Sequence, residues 1–268
     1  MPVRIEKACE FALLVPSCDK YSDLWKPFFE SFWRFWPDCP FDVFLSSNNL
    51  RFDHPSVHSL LIGEDRSWSE SIRRAVSAIE REFVVLFLDD IFLTGTVDSS
   101  LASMFIWIRA EKPAYVRLLP RPRADLAYNS MVGGVSRAAP YRTATHVVVW
   151  KKSVLLELLH DGEDAWQFEN AGSIRSAAYD GFYATEKRPF SYVHGCVKGK
   201  WTRPAIRQLQ ELGIQIDRSA RPVLTHRETA VLHARAVLHA VLNHLPPRPR
   251  AEVRRLFRRD KHCYARAK

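Results

Sequence analysis

Residues 83–94 read FVVLFLDDIFLT, an apolar run that stops at two adjacent carboxylates and then turns apolar again. Two ionised carboxylates side by side at a strand end repel each other unless a cation or a set of hydrogen-bond donors compensates. Oxygen ligands in that position suit Mg2+ or Mn2+, and such an ion bridges phosphate oxygens. Successive side chains of an extended strand face opposite ways, so one carboxylate is expected to ligate directly. Asp90 is the expected ligand, with Asp89 turned toward a ribose or outward from the metal. A bare pair of aspartates is otherwise a solvated turn or a cap. The apolar strand leading into this pair is what favours metal and diphosphate chemistry.

Other residues carry complementary chemistry. Asp65 and Arg66 precede the helical pattern that opens at Trp68. Asp65 either caps that helix or faces a nucleotide, with Arg66 toward phosphate at the helix start. Glu169 lies in AWQFEN, flanked by Trp166, Phe168 and Asn170. An apolar setting raises a carboxylate pKa toward the range of a general base, and Trp166 offers a face on which a sugar ring can stack. Glu163 and Asp164 are weaker rivals for that role, and a surface loop packed by two aromatics is the plain alternative. His194, in YVHGCVKGKW, is either a late metal ligand or a hydrogen-bonded core histidine. Lys198 and Lys200 alternate with Gly199, a composition that suits a loop closing on phosphates. Arg121 and Arg123, in the sequence PRPR, place two cations after a strand, toward acceptor, phosphate or solvent.

The elements that must position these groups follow an alternating order. FALLV at 11–15 reads as a first strand closed by Pro16 and Ser17. Residues 22–36 form an aromatic-faced helix with Ser22 as its cap. Strands follow at 41–47 and 57–63, then a helix over 65–82 with Ser67 and Glu70 as a capping box. FVVLFL at 83–88 has the near-continuous apolar character of a central strand covered on both faces. This β-α-β-β-α-β order predicts a layered α/β sheet, in which ligands sit outside the carboxyl ends of the strands. Ser17, Ser46, Asp65, Asp89 and Asp90 all fall there. The second half predicts strands at 113–120, 144–150 and 190–201. Helices are expected at 151–160, from Thr202 to Gly213 with Pro204 in the first turn, and at 231–245.

The chain has 268 residues and a net charge of +9. Residues 248–268 hold nine Lys or Arg against Glu252 and Asp260, so this short tail carries +7 of that charge. The main domain is therefore not a broad nucleic-acid-binding surface, and no nucleic-acid partner is expected. The tail is either a solvated end or a peripheral dock on anionic lipid near a lipid-linked acceptor. No apolar stretch approaches the roughly 18–20 residues that span a bilayer, and VRIEKACEF does not read as a signal peptide. Cys9, Cys18, Cys39, Cys196 and Cys263 are scattered without a CxxC pair. They read as reduced thiols of a cytoplasmic protein, with no cysteine zinc site.

Taken in order, LVPSCDKYSDLW, FDVFLSSN, DRSWSESIRRAV, VVLFLDDIFL, VVVWKKSVLLELL, EDAWQFENAGS and SYVHGCVKGKW resemble bacterial nucleotide-sugar glycosyltransferases of the GT-A type found with surface-polysaccharide genes. The resemblance spans roughly residues 8–215. It implies a GT-A-like, Rossmann-type layered fold with a mixed central sheet. The nucleotide-binding half would lie at about 8–112 and the acceptor-side half at about 113–215, with a helical and basic extension at 216–268. LDD looks like a variant DxD site, so Asp90 would hold a divalent cation, Mn2+ or Mg2+, with Asp89 beside it. The stretch departs from the full triplet, since Ile91 follows Asp90. Val15, Pro16 and Ser17 would border the base, and Asp65 the base or ribose. Glu169 would be the catalytic base and His194 a late ligand. Lys198 and Lys200 would lie over the diphosphate of a nucleoside-diphosphate sugar. A separate base on the acceptor side implies inversion onto a glycan or lipid-linked glycan acceptor. Against a nucleotidyltransferase, residues 16–21 (PSCDKY) contain no glycine-rich phosphate loop. The GxGxxG of a dinucleotide oxidoreductase is also absent after the first strand. A nucleotidyltransferase making a nucleotide sugar and a non-catalytic nucleotide- or carbohydrate-binding protein are the alternative readings.

Overall fold

A computed structural model describes residues 10–243. The basic tail, with Pro246, Pro247 and Pro249, lies outside the described residues. β1 (Phe11–Pro16) is followed by α1 (Ser22–Phe35), β2 (Asp42–Ser47) and β3 (His58–Leu61). Next come α2 (Trp68–Ser77), β4 (Phe83–Leu86), β5 (Ile91–Leu93) and α3 (Ser100–Glu111). β6 (Tyr115–Arg117), β7 (Val132–Gly134), β8 (Val148–Lys151) and α4 (Lys152–Leu158) lead into a coiled stretch. That stretch joins α5 (Ala165–Gln167), a π-helical turn (Phe168–Gly172) and α6 (Ser173–Arg175). β9 (Phe182–Thr185), β10 (Tyr192–His194), β11 (Cys196–Val197), β12 (Lys200–Trp201), α7 (Arg203–Glu211) and α8 (His226–Asn243) complete the described chain.

Eight strands form one mixed sheet in the order β3-β2-β1-β4-β8-β6-β9-β7. β3, β2, β1 and β4 run parallel, whereas β8 is antiparallel to both β4 and β6. Alternation along the central strands explains why both faces are covered. Phe11, Leu13 and Val15 of β1 join one core with α1 and α3, while Ala12 and Leu14 join the other with α2 and α4. This is the two-faced burial that near-continuous apolar strands require. β5 pairs with β10 outside the main sheet, and β11 with β12.

Several local expectations shift. The helix after β1 has Tyr21 as N-cap rather than Ser22, because a 3-10 turn over Asp19–Tyr21 intervenes. Ser67 caps α2: its Oγ accepts from Glu70 N–H and donates to the Glu70 carboxylate. Thr202 caps α7 with Pro204 in the first turn, as its sequence predicts. The central strand stops at Leu86, not Leu88. Cys18, Cys39 and Cys196 are free thiols. No helix among the described residues is long and apolar enough to cross a membrane.

Candidate active site

The carboxyl ends of the parallel strands are tied to one another by side chains. Asp19, just past β1, accepts backbone N–H bonds from Asn48, Asn49 and Leu50 beyond β2, at 3.0–3.1 Å. Asn48 in turn donates to the Gly63 carbonyl beyond β3 at 2.8 Å. Ser17 N bonds Ser46 O at 3.1 Å. A fixed rim results, and Asp89 and Asp90 face it from the end of β4.

Asp89 and Asp90 occupy a turn, closed by Ile91 N bonding Leu88 O at 3.1 Å. The expectation that strand alternation separates them therefore fails: the backbone is already turning. Asp89 is 8% exposed, and its Oδ2 accepts from Ser17 Oγ at 2.5 Å. Ser17 Oγ itself accepts from the Trp25 indole N–H at 2.7 Å. Burial first, and then the neighbouring Asp90 charge, push the Asp89 pKa up to about 7; the Ser17 bond and the Arg221 charge oppose this. Burial raises Asp90 to about 6. Although Asp90 as a residue is half-buried, its Oδ1 is fully buried and has no hydrogen-bond partner.

Backbone pairing brings His194 alongside. His194 is opposite Ile91 in the β10–β5 ladder, and Gly195 N bonds Asp90 O at 2.6 Å. A Cβ on Gly195 would lie 2.1 Å from Phe92 Cε2 and 3.3 Å from Asp90 O. The residue must be glycine for β10 to close on the Asp90 turn. Gly195→Ala is expected to cost about 1–3 kcal/mol by overpacking, read as a lower denaturation midpoint, and to weaken any ligand binding at Asp90. His194 lies at the surface, but its ring packs edge-on against Tyr192 at 5.2 Å. Desolvation of the ring, with the Arg121 charge, holds its pKa below the ordinary histidine value.

Past His194, Lys198 and Gly199 form a two-residue hairpin turn with φ of 52° and 73°. Two positive φ values match the strand twist, as two-residue hairpins require. Lys200 Nζ is committed to Glu228 at 2.6 Å, which pins α8 to the hairpin.

Glu169 sits on the π-helical turn, a rare conformation that recurs at functional sites. The turn is anchored by Phe168, fully buried against Trp68 and Trp150. Its flanks are fixed as well. Asp164 and Gln167 form a complete capping box, and Glu163 makes a bidentate pair with Arg175 at 2.8 and 2.7 Å. These contacts give Asp164 and Glu163 structural work and separate them from Glu169. Glu169 Oε1 accepts from Thr145 N and Thr145 Oγ1, both at 2.9 Å. Burial raises its pKa, against the Thr145 bonds and the nearby charge of Arg117. Arg117 is fully buried and gives its N–H groups to Tyr115 Oη and to the carbonyls of Pro122 and Tyr141.

Sheet register places Glu169 and the carboxylate pair at the same edge. Leu86 of β4 is opposite Val148 of antiparallel β8. Asp89 lies three residues beyond the one and Thr145, the partner of Glu169, three residues before the other. His146 lies between, and burial together with Arg117 and His194 lowers its pKa to about 4, so it is neutral. Sequence reading passed over His146, Thr145 and Arg117, which stand in an ordinary strand context with no motif around them.

Other expected site residues fall further out. Asp65 accepts from Ser71 Oγ at 2.9 Å and lies close enough to raise the Cys18 pKa, so it borders the β1 rim. Arg66 pairs with Glu64 at 2.9 Å on the surface. Arg121 and Arg123 are exposed, with Arg121 near enough to act on His194. Trp166 is 44% exposed, and its carbonyl accepts from Asn170 Nδ2. Asn170 also lines a cavity of about 340 Å³ with Arg137, Tyr141 and Ile174.

The fold is GT-A-like: a mixed α/β domain with an eight-stranded central sheet flanked by helices. Among solved structures it is similar to the mannosyltransferase PcManGT from Pyrobaculum calidifontis, solved in complex with GDP-Man and Mn2+. That match has 15% identity over 92% of this chain and 79% of that one, with a TM-score of 0.50. It is also similar to S. aureus TarS 1–349, at 12% identity over 68% of this chain, with a TM-score of 0.45. The chain spans 59% of that TarS fragment. UTP-bound UGPase from Acinetobacter baumannii matches at 10% identity over 76% of this chain and 93% of that one, with a TM-score of 0.48. Glycosyltransferases and nucleotidyltransferases thus both occur among the structural neighbours, and identities this low show the fold alone. No protein-family model matches the sequence, and no curated protein matches it.

Among the described residues no group of three or more His, Cys, Asp or Glu side chains is arranged to hold a metal. His194 is placed beside the aspartate turn by the β10–β5 ladder rather than within such a group. The residues present fit a different arrangement: one or two carboxylates with the remaining positions left to substrate phosphates and water, the usual Mg2+ pattern. The unpartnered, buried Asp90 Oδ1 is the observation that supports this fit.

Proposed function

We propose that this chain is a nucleotide-sugar glycosyltransferase that moves a sugar from a nucleoside-diphosphate donor to a hydroxyl acceptor. The observation that carries the reading is the buried pair Asp89–Asp90, held by Ser17 at the carboxyl edge of the sheet with one carboxylate oxygen unpartnered. Burial raises the pKa of both carboxylates, and perturbed carboxylates at a sheet edge support a functional site over a solvated turn. Asp90, with Asp89 beside it, would hold Mn2+ or Mg2+, which when bound neutralises charge on the diphosphate.

The chain's own groups account for the remaining steps. Val15, Pro16, Ser17 and Asp65 border the base and ribose, and the Lys198–Gly199 turn lies over the diphosphate. Trp166, Asn170, Arg121 and Arg123 face the acceptor. Glu169 Oε1 is held by Thr145, which leaves Oε2 to take the acceptor proton. As that O–H bond breaks, the oxygen bonds to the anomeric carbon and the carbon–diphosphate bond cleaves, with inversion. The acceptor is a glycan or lipid-linked glycan of surface-polysaccharide synthesis, reached from the cytoplasmic side.

A panel of UDP-, GDP- and dTDP-sugars, scored by thermal shift with and without Mn2+ or Mg2+, tests the reading. One donor is expected to stabilise the protein only when the cation is present, and to release nucleoside diphosphate slowly with water as acceptor. Release of pyrophosphate from a nucleoside triphosphate and a sugar phosphate would instead make it a nucleotidyltransferase. Binding without any turnover would leave a carbohydrate-binding protein.

A further inference from the structure

The segments that hold Glu169 also build a cavity. Thr145 bonds the Glu169 carboxylate, and Ser173 Oγ donates to Glu169 O at 2.5 Å. Residues 137–141 line the cavity of about 340 Å³ together with Asn170, Ser173 and Ile174. That volume is at the lower end of ligand pockets, which suits one small ring rather than a long chain. Two buried arginines fix its walls. Arg117 Nη2 donates to Tyr141 O at 2.6 Å. Arg142 donates to Ser176 O and, at 2.9 Å, to Tyr179 O, which ties the loop before β8 to the end of the helical run.

Three features set this cavity apart from a packing defect. Tyr141, in its lining, has a φ of 54°. A bulky residue in the left-handed region costs about 1–2 kcal/mol, which glycine would avoid. Lys112 and Lys198, the other described non-glycine residues with positive φ, cap a helix and close a hairpin. Tyr141 does neither, so the chain keeps an aromatic ring here at a cost. Ile174 is 78% exposed at the same cavity, more than any other large apolar side chain described. Asn170 is tied through Nδ2 to Trp166 O at 2.6 Å, which leaves its amide oxygen as an acceptor.

Among the lining residues Arg137 alone is charged, and Asp180 compensates it at 2.8 Å. Tyr141 and Ile174 offer apolar contact, while Asn170 and Arg137 offer an acceptor and donors. That combination matches a neutral sugar ring, which has an apolar C–H face and a rim of hydroxyls. We propose that this cavity is an acceptor subsite that takes one neutral pyranose of the acceptor glycan against Tyr141 and Ile174. The inference rests on the glycosyltransferase reading above and adds to it the residues that select the acceptor.

The full-length protein is tested by saturation-transfer NMR with methyl glycosides of glucose, galactose, mannose, N-acetylglucosamine and rhamnose. The methyl glycoside of glucuronic acid is the anionic comparison. At least one neutral glycoside is expected to receive saturation, strongest on the C–H protons of one ring face. Tyr141→Gly removes the ring and relaxes the backbone, so it is expected to weaken this binding about tenfold without loss of fold. Ile174→Gln, a change at an exposed position, should weaken it several-fold. Tyr141→Phe keeps the ring and should keep the binding. With a nucleotide-sugar donor present, the bound glycoside should raise nucleoside-diphosphate release by wild-type protein several-fold over the rate with water. Four results would each overturn the inference while cation-dependent donor binding still upholds the donor reading. They are no binding of any neutral glycoside, a preference for the glucuronic acid glycoside, binding indifferent to both Tyr141→Gly and Ile174→Gln, and binding that leaves release at the water rate. Wild-type protein that binds no nucleotide sugar overturns the donor reading and the acceptor role with it.

Discussion

Asp90→Asn is expected to abolish the cation-dependent part of donor binding while raising the melting temperature of the ligand-free protein. The two effects have one cause. Asp90 adds a buried negative charge beside Asp89, and its Oδ1 has no partner to compensate. Removing that charge relieves repulsion, on the order of 1 kcal/mol for each unit of pKa shift it accounts for. The same charge is what a cation would bind. A ligand at a hundred times its dissociation constant stabilises a protein by about 2.7 kcal/mol, which for a chain of this size is roughly 5–10 °C. Wild-type protein should show that shift with Mn2+ and its sugar donor, and Asp90→Asn should not. The pH dependence has a definite sign. Folding raises the Asp89 and Asp90 pKa values from 3.8 to about 7 and about 6. Their contribution to stability is thus fully present below pH 3.8 and is lost as pH rises through 6–7. Ligand-free wild type should therefore lose stability from pH 5 to pH 8, more steeply than Asp90→Asn. The cation displaces protons from the pair, so its stabilising shift should be larger at pH 8 than at pH 5.5. Equal shifts in wild type and variant would remove Asp90 from the site.

What the sequence makes legible depends on the range over which its signals act. β1 and β4 announce themselves because a strand buried on both faces has to be apolar throughout, as FALLV and FVVLFL are, although β4 itself ends at Leu86. The carboxylate pair is legible for the same reason: two charges that interrupt such a run need a purpose. α3 is harder to see. Leu101, Met104, Phe105 and Ile108 form its buried stripe, but Ile106 is 45% exposed on the opposite face and blurs the period. His146 and Thr145 gain meaning only from register, when antiparallel β8 delivers them beside the turn after β4. Arg221 pairs with Asp23 across nearly the whole described chain, and no local pattern links the two. Glu169 lies between these cases. Its aromatic neighbours single it out, yet the π turn that aims it and the Thr145 bonds that hold it are consequences of tertiary packing around Phe168. Asp164 and Glu163 share its composition but are taken up by the capping box and by Arg175.

Glu169→Gln should leave donor binding and its cation dependence intact while transfer falls by roughly 10²–10⁴, the usual contribution of a positioned base. Glutamine keeps the volume and can still accept both Thr145 bonds through its amide oxygen, so the fold and the donor side are undisturbed. What it lacks is a site for the acceptor proton. The environment of Glu169 sets the pH profile. Burial raises its pKa above the ordinary 4.5, against the Thr145 bonds and Arg117. The base works ionised, so kcat/KM should decline as pH falls through this raised value rather than through that of a solvated glutamate. Thr145→Val removes the hydroxyl bond that favours the ionised form. The acid limb of the profile should then move to higher pH, with little loss of rate on the alkaline plateau. A structural role for Thr145 would lower the rate at every pH and leave the limb in place. Rates measured across pH 5–9 for wild type, Glu169→Gln and Thr145→Val separate these cases. Transfer that survives Glu169→Gln undiminished would move the base to another group on this edge. His146 would then be the next to test, although burial with Arg117 and His194 disfavours its protonated form and makes it a weaker base than an ordinary histidine.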